Sequence, residues 1–249
     1  MLNIVIPMAG RGSRFMAEGY TLPKPLIPVA GKPMIGWVIN NLRPNRDHRF
    51  IFICLEEHIT RYGVDELLHR LAPGCVVVTI NGVTEGAACT VLLAKDLINN
   101  DDPLMIANSD QWVDIDINDY LASMDKNDSG GLIMTMWADD PKWSFVRFDM
   151  EGAVCEVVEK QVVSNEATVG IYNFRHGREF VAAAETMICN NQRVNNEFYV
   201  APTYNQLINA GIHIGCYNVG KDGEGMYGLG IPSDLKRFES SSVSEKLSV

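Results

Sequence analysis

Ile4-Val5-Ile6-Pro7-Met8-Ala9-Gly10-Arg11-Gly12-Ser13-Arg14-Phe15 decides how this chain is read. An apolar run, Asn3–Ile6, is short enough for one buried strand, and it passes straight into a basic, glycine-containing loop. Pro23-Lys24-Pro25 follows soon after. Glycines let main-chain N–H groups approach phosphate oxygens that a Cβ would hold away. The loop residues Met8, Ala9, Gly10, Arg11, Gly12 and Ser13 are therefore expected to cradle a triphosphate. Arg14 adds a planar fork and Lys24 a point charge. The loop ends Gly-Ser-Arg, so it is not a Walker loop, and it lacks the third glycine of the dinucleotide fingerprint. A bare Gly-x-Gly also fits an ordinary strand-to-helix turn. Arg14 and Pro-Lys-Pro argue against that plainer reading.

Outward from this loop, apolar runs alternate with amphipathic segments. Further strands are expected at Phe50–Cys54, Val76–Ile80, Leu104–Ala107 and Gly131–Trp137. Helices are expected around Ile35, Val38, Ile39 and Leu42, then at Asp65–Leu71, Ala87–Ile98 and Asp119–Met124. This alternation predicts parallel strands with crossover helices on both faces, and ligands beyond the carboxyl ends of the strands. In the second half, strands are expected at Phe145–Phe148, Val154–Val158, Thr168–Phe174 and Ile212–Asn218, with helices at Arg178–Cys189 and Tyr204–Ala210. That half is expected to complete the sheet and close over a second substrate. With no internal repeat or linker, residues 1–239 read as one domain. Its nucleotide-binding lobe is 1–140 and its acceptor-binding lobe 141–239. Residues 240–249 form a serine-rich polar tail, read as a frayed helix or disordered.

The 249 residues carry a net charge of -10, which argues against nucleic acid or an anionic membrane as partner. No apolar run approaches the ~20 residues of a membrane span, and no leader pattern opens the chain. A cytoplasmic protein is expected, with a homo-oligomer left open. Six scattered cysteines without a Cys-x-x-Cys pair read mostly as reduced core residues. The five histidines lack metal-ligand spacing.

Several later segments carry chemistry. Asp110, in Asn108-Ser109-Asp110-Gln111 at the end of a central strand, is placed to hold Mg²⁺, which takes one or two carboxylates and fills its other positions with phosphate oxygens and water. The same residue also suits capping of the next turn, and Asp114 and Asp116 rank behind it. Thr84-Glu85-Gly86-Ala87-Ala88 opens a helix whose small residues and free N–H groups can meet a base, with Thr84 as an N-cap. Lys160 of Glu159-Lys160 suits an acceptor phosphate, although Glu-Lys at a strand end is also a common surface pair. Asn195-Asn196-Glu197-Phe198-Tyr199 suits a polar acceptor or an ordered loop.

In this order, the glycine loop, Pro-Lys-Pro, Glu85-Gly86-Ala87-Ala88, Ser109-Asp110-Gln111 and Glu159-Lys160 resemble the sugar-nucleotidyltransferase (nucleotide-sugar pyrophosphorylase) family, from residue 1 to about 238. Segments 141–145, 167–172 and 195–199 are similar to a narrower branch from capsule and surface-polysaccharide gene sets. That branch includes a phosphoglutamine cytidylyltransferase. The resemblance implies a Rossmann-like, GT-A-type α/β fold, with a mixed sheet and helices on both faces, and transfer of a nucleotidyl group with release of pyrophosphate. It implies Gly10, Gly12, Ser109, Glu85 and Gly86 on the nucleotide, Arg14 and Lys24 as catalytic cations, and Asp110 on Mg²⁺. Lys160 would hold the acceptor phosphate, with Glu159, Gly170, Asn196 and Glu197 around the acceptor. There is one departure: Gly228 aligns where the family carries a second metal aspartate. Asp234 could replace that aspartate only if the chain folds back.

The expected partners are a nucleoside triphosphate, a pyrimidine one with CTP first, and a phosphorylated small molecule. Two rivals stay open. One is a GT-A glycosyltransferase consuming nucleotide-sugars, which would favour Asp-x-Asp. The other is a catalytically silent nucleotide-binding regulator.

Overall fold

Leu2, Ile4, Ile6 and Met8 of strand β1 (Leu2–Met8) pack into one apolar cluster, while Val5 packs into another on the opposite side. Period-two alternation with buried side chains on both sides means that both faces of the strand are covered. The computed structural model describes residues 1–247 and bears this out across one 11-stranded sheet.

The first half supplies α1 (Ser13–Ala17), a small hairpin of β2 (Pro28–Val29) and β3 (Lys32–Pro33), α2 (Met34–Leu42) and β4 (His48–Leu55). It continues with α3 (Glu56–Tyr62), α4 (Val64–Leu71), β5 (Val76–Ile80), α5 (Ala87–Leu92) and α6 (Lys95–Ile98). Next come β6 (Leu104–Ala107), β7 (Gln111–Val113), α7 (Ile117–Lys126) and β8 (Gly131–Trp137). The remainder holds β9 (Ser144–Phe148), β10 (Val154–Glu159), β11 (Glu166–Phe174), α8 (Gly177–Cys189) and α9 (Tyr204–Asn209). It ends with β12 (Ile214–Asp222), β13 (Gly225–Gly228), α10 (Pro232–Glu239) and α11 (Ser242–Leu247). The last helix falls on the expected polar tail, of which residues 248 and 249 lie outside the described residues.

The sheet order is β5-β4-β1-β6-β11-β8-β12-β13-β7, with the β9–β10 hairpin attached through Ala167 opposite Phe145. β4 and β6 run parallel to β1, and β5 runs parallel to β4, whereas β11 is antiparallel to both β6 and β8. The sheet is thus mixed, as expected. β1 has β4 on one side and β6 on the other, so the chain order reverses beside it, and a crevice opens beyond the carboxyl ends of β1 and β6. Pro7 is tolerated in this central strand because β6 pairs only as far as Val5.

On one face, Ile35, Val38 and Ile39 of α2, Leu68 of α4 and Tyr120 of α7 share a core with β1 and β4. On the other, Val91 of α5, Phe180 and Ala184 of α8 and Leu207 of α9 pack on Val5, Ile51 and Phe174. A third cluster fixes the crevice. Phe15 of α1, Val29, Trp37 and Leu235 of α10 pack together, and the Trp37 indole donates to the Val29 carbonyl at 2.7 Å.

Three expectations are corrected. The segment 87–98 is not one helix, because Leu93 and Ala94 turn back on Thr90 and Val91 in a tighter i→i−3 pattern that separates α5 from α6. Thr84 does not cap α5; its hydroxyl bonds the Gly86 carbonyl at 2.8 Å, and Gly86 takes the cap position. Only Cys54 and Cys75 are buried, since Cys155 and Cys189 fall on exposed faces of β10 and α8 and the other two are half-buried.

Candidate active site

The loop after β1, the 3₁₀ turn Lys24–Leu26, the residues after β6 and the N-terminus of α10 meet around a cleft of about 720 Å³. The cleft is lined by Gly12, Ser13, Arg14, Lys24, Asp110 and Lys160 from among the expected residues. Phe15 explains why the loop can be held there, because it is 1% exposed and fastens α1 beneath Arg14. Gly12 lets the loop lie against the lysine turn, since a Cβ would sit 3.2 Å from Lys24 Cβ.

At the floor of the cleft, Lys24 Nζ donates to Asp110 Oδ2 at 2.6 Å. Neither side chain is fully buried, at 21% and 22% exposure. Asp110 is therefore turned into the cleft on a cation rather than onto a backbone cap. Asp116 does the capping of α7, accepting from the Asn118 amide at 2.9 Å.

Asp234 is the main surprise. Its carboxylate sits over Gly228, where a Cβ would lie 3.3 Å from Oδ2. A Cβ on Gly230 would fall 2.5 Å from Asp110 Oδ2. The chain after β13 does fold back, because Pro232 opens α10 and carries Asp234 into its first turn. Two carboxylates thus rest above glycines two residues apart, and both line the cleft. Burial pushes the Asp234 carboxyl up, with Arg237 opposing. Hard oxygen donors in this cradle suit Mg²⁺.

The lysine expected on the acceptor side lies in the same cleft. Lys160 takes a left-handed backbone, φ 56°, and its ammonium donates to the Tyr199 hydroxyl at 2.7 Å. That bond is the main cause of a raised Lys160 pKa. Lys142 and Trp143 line the cleft nearby.

Other expected residues lie elsewhere. Met8 and Ala9 are buried at the strand end, and Gly10 is exposed beside them. Arg11 faces a neighbouring pocket with His58 and Asn81. Ser109 is buried. Glu85 pairs with Arg193 at 3.2 Å, and Gly86 packs against the Phe198 main chain. Glu159 is neither a surface partner of Lys160 nor a lining residue of this cleft. The alternation of β10 turns it inward to Ser144, and burial raises its pKa. Asn196 and Glu197 are exposed on a tight turn, with Asn195 and Asn196 both at positive φ.

Gly170 sits behind the cleft wall, where a Cβ would strike the Asn108 amide. The sequence motifs assign Gln111 no role. It is 5% exposed, lines the cleft, and its Nε2 has no hydrogen-bond partner among the described residues. Lys142 and Trp143 likewise carry no expected role, and Asp234 is expected to serve only if the chain folds back, as it does here.

The profile of the nucleotidyl transferase family matches residues 4–201, and the chain belongs to that family. It is 26% identical over 185 residues to a low-salt glycan biosynthesis nucleotidyltransferase of Haloferax volcanii, covering 68% of this chain and 48% of that one. It is 25% identical over 179 residues to the bifunctional protein GlmU of Methanococcus aeolicus, covering 70% of this chain and 40% of that one. The chain thus spans less than half the length of these curated relatives. Its fold matches a nucleoside-diphosphate-sugar pyrophosphorylase from Vibrio cholerae with a TM-score of 0.81 at 24% identity, covering 96% of this chain and all of that one.

Among the described residues, no helix is long and apolar enough to cross a membrane.

Proposed function

We propose that this chain transfers a nucleoside monophosphate from a pyrimidine nucleoside triphosphate, CTP first, to a phosphorylated small molecule, releasing pyrophosphate. The carrying observation is that the Lys24–Asp110 pair and Lys160 face one cleft. The preference for CTP rests on the sequence resemblance of segments 141–145, 167–172 and 195–199. A place in surface-polysaccharide synthesis draws on that resemblance and on the glycan role named for the Haloferax relative.

Arg14 and the loop amides hold the departing pyrophosphate, while Lys24 stabilises the α-phosphoryl oxygens. Lys160 holds the acceptor phosphate in line with the α-phosphorus. That phosphate is already ionised at neutral pH, so no general base is needed, and catalysis is positioning and electrostatics. Asp110 and Asp234 would hold Mg²⁺, which when bound offsets charge on the phosphates.

The test is pyrophosphate release from CTP, UTP, dTTP, ATP and GTP against phosphorylated small molecules with Mg²⁺. Release that requires one acceptor supports the proposal. A glycosyltransferase would give none and would instead consume a nucleotide-sugar. The Asp234 carboxylate above Gly228 speaks against a silent regulator, whose mark would be nucleotide binding without turnover.

A further inference from the structure

Two lysines in the cleft are held in opposite ways. The Lys24 ammonium is bonded to a carboxylate, so its charge is largely balanced. The Lys160 ammonium is bonded instead to a neutral phenol, Tyr199, at 2.7 Å and lies 4.9 Å from the ring centroid. An ammonium has three donors. With one on Tyr199, two remain, and no carboxylate bonds the ammonium directly, although Glu159 and Glu197 lie near enough to favour its charged form.

A free lysine side chain carries about 2 kcal/mol of rotamer entropy that anion binding must overcome. Lys160 is held at both ends. Its backbone is in the left-handed region, with its N–H on the Trp143 carbonyl at 3.0 Å. Its tip is on Tyr199.

Tyr199 is itself anchored by its neighbour. Phe198 is fully buried against Ala88 and Met187. The Phe198 N–H donates to the Glu85 carbonyl at 2.8 Å, and its carbonyl accepts from the Ala88 N–H at 3.0 Å. Gly86 takes φ 132°, and a Cβ there would lie 2.4 Å from the Phe198 oxygen. The turn at 85–88 and the segment carrying Tyr199 are thus one unit.

We propose that Tyr199 is the positioning residue for Lys160, holding its ammonium toward a phosphate while leaving two donors free. This rests on the reading of Lys160 as the acceptor-phosphate lysine. The Tyr199 hydroxyl oxygen accepts from the lysine, and burial, with Glu197 nearby, holds the phenol in its neutral form.

The test follows lysine side-chain ¹⁵Nζ resonances in the full chain, with Lys160 assigned by its loss in Lys160→Arg and Lys24 by its loss in Lys24→Arg. Inorganic phosphate is the probe. In the unaltered protein, the Lys160 resonance should shift saturably with phosphate. In Tyr199→Phe, which keeps the ring, phosphate affinity read at Lys160 should fall about three- to tenfold, the loss expected for one hydrogen bond. The Lys24 response and the melting temperature should not change. An equal Lys160 response in both proteins overturns the role of Tyr199 and leaves the acceptor reading standing. A Lys160 resonance unmoved by phosphate in the unaltered protein refutes the acceptor reading, and the proposal with it.

Discussion

Lys24 and Asp110 hold each other at 2.6 Å across 86 positions of sequence, at the point where the loop after β1 meets the residues after β6. Each is the other's counter-ion, so a nucleotide and its metal would enter by separating a pair already aligned. Lys24→Ala should lower kcat about a hundredfold, the usual cost of one electrostatic contact to a transition state. Stability should fall by only about 1 kcal/mol or less, because the pair is partly exposed. Steady-state pyrophosphate release and a thermal melt check both, and near-normal turnover would remove Lys24 from the mechanism.

The seat of Asp234 over Gly228 makes a second prediction. Asp234→Asn should weaken Mn²⁺ binding about tenfold, read by EPR with nucleotide present, since divalent affinity follows the carboxylate count. Because a side chain on Gly228 would enter the space of the Asp234 carboxylate, Gly228→Asp combined with Asp234→Gly should restore binding. Unchanged Mn²⁺ affinity in the single variant would show that Asp234 takes no part.

The hydrogen bond to Tyr199, with the charges of Glu159 and Glu197, raises the Lys160 pKa, and burial opposes it. The protonated form is thus favoured, so phosphate binding at Lys160 is complete below the ordinary lysine pKa and is lost as pH rises through the raised value. Tyr199→Phe should move that alkaline limb to lower pH. Phosphate titrations across the alkaline range would reveal it, and a limb at the same place in both proteins would contradict the assignment.

Gly86→Ala should destabilise the fold by about 3 kcal/mol or more, because it combines an unfavourable φ with a main-chain clash at Phe198. Chemical denaturation measures this. A loss under about 1 kcal/mol, the size of an ordinary substitution, would mean that the 85–88 turn can detach from Phe198 at little cost.

Much of the frame was legible. β5, β6 and β8 match the expected limits because each is a mostly apolar run, broken only by Thr79 in β5 and Thr135 in β8, and bounded by polar or small residues. β7 and β13 were not read. They are 3 and 4 residues long, and β13 begins and ends in glycine, so neither shows a period. Helix α1 was hidden because its five residues looked like part of the loop.

Motifs next to strand ends are enough to bring Arg14, Lys24 and Asp110 to the cleft. Asp234 could be named only on condition that the chain folds back, and the place of Tyr199 depends on how Phe198 docks on the 85–88 turn. Glu159 was misplaced because a motif gives no side-chain direction, and the pleat of β10 sends it inward.

Lys160 adopts a backbone conformation that suits glycine better than any residue with a Cβ, at a cost of about 1 kcal/mol. On the role proposed for Lys160, backbone ease and phosphate binding therefore pull in different directions at this one position. Lys160→Gly would ease that backbone and give up the ammonium together with its bond to Tyr199, an exchange that a residue kept only for packing would not face.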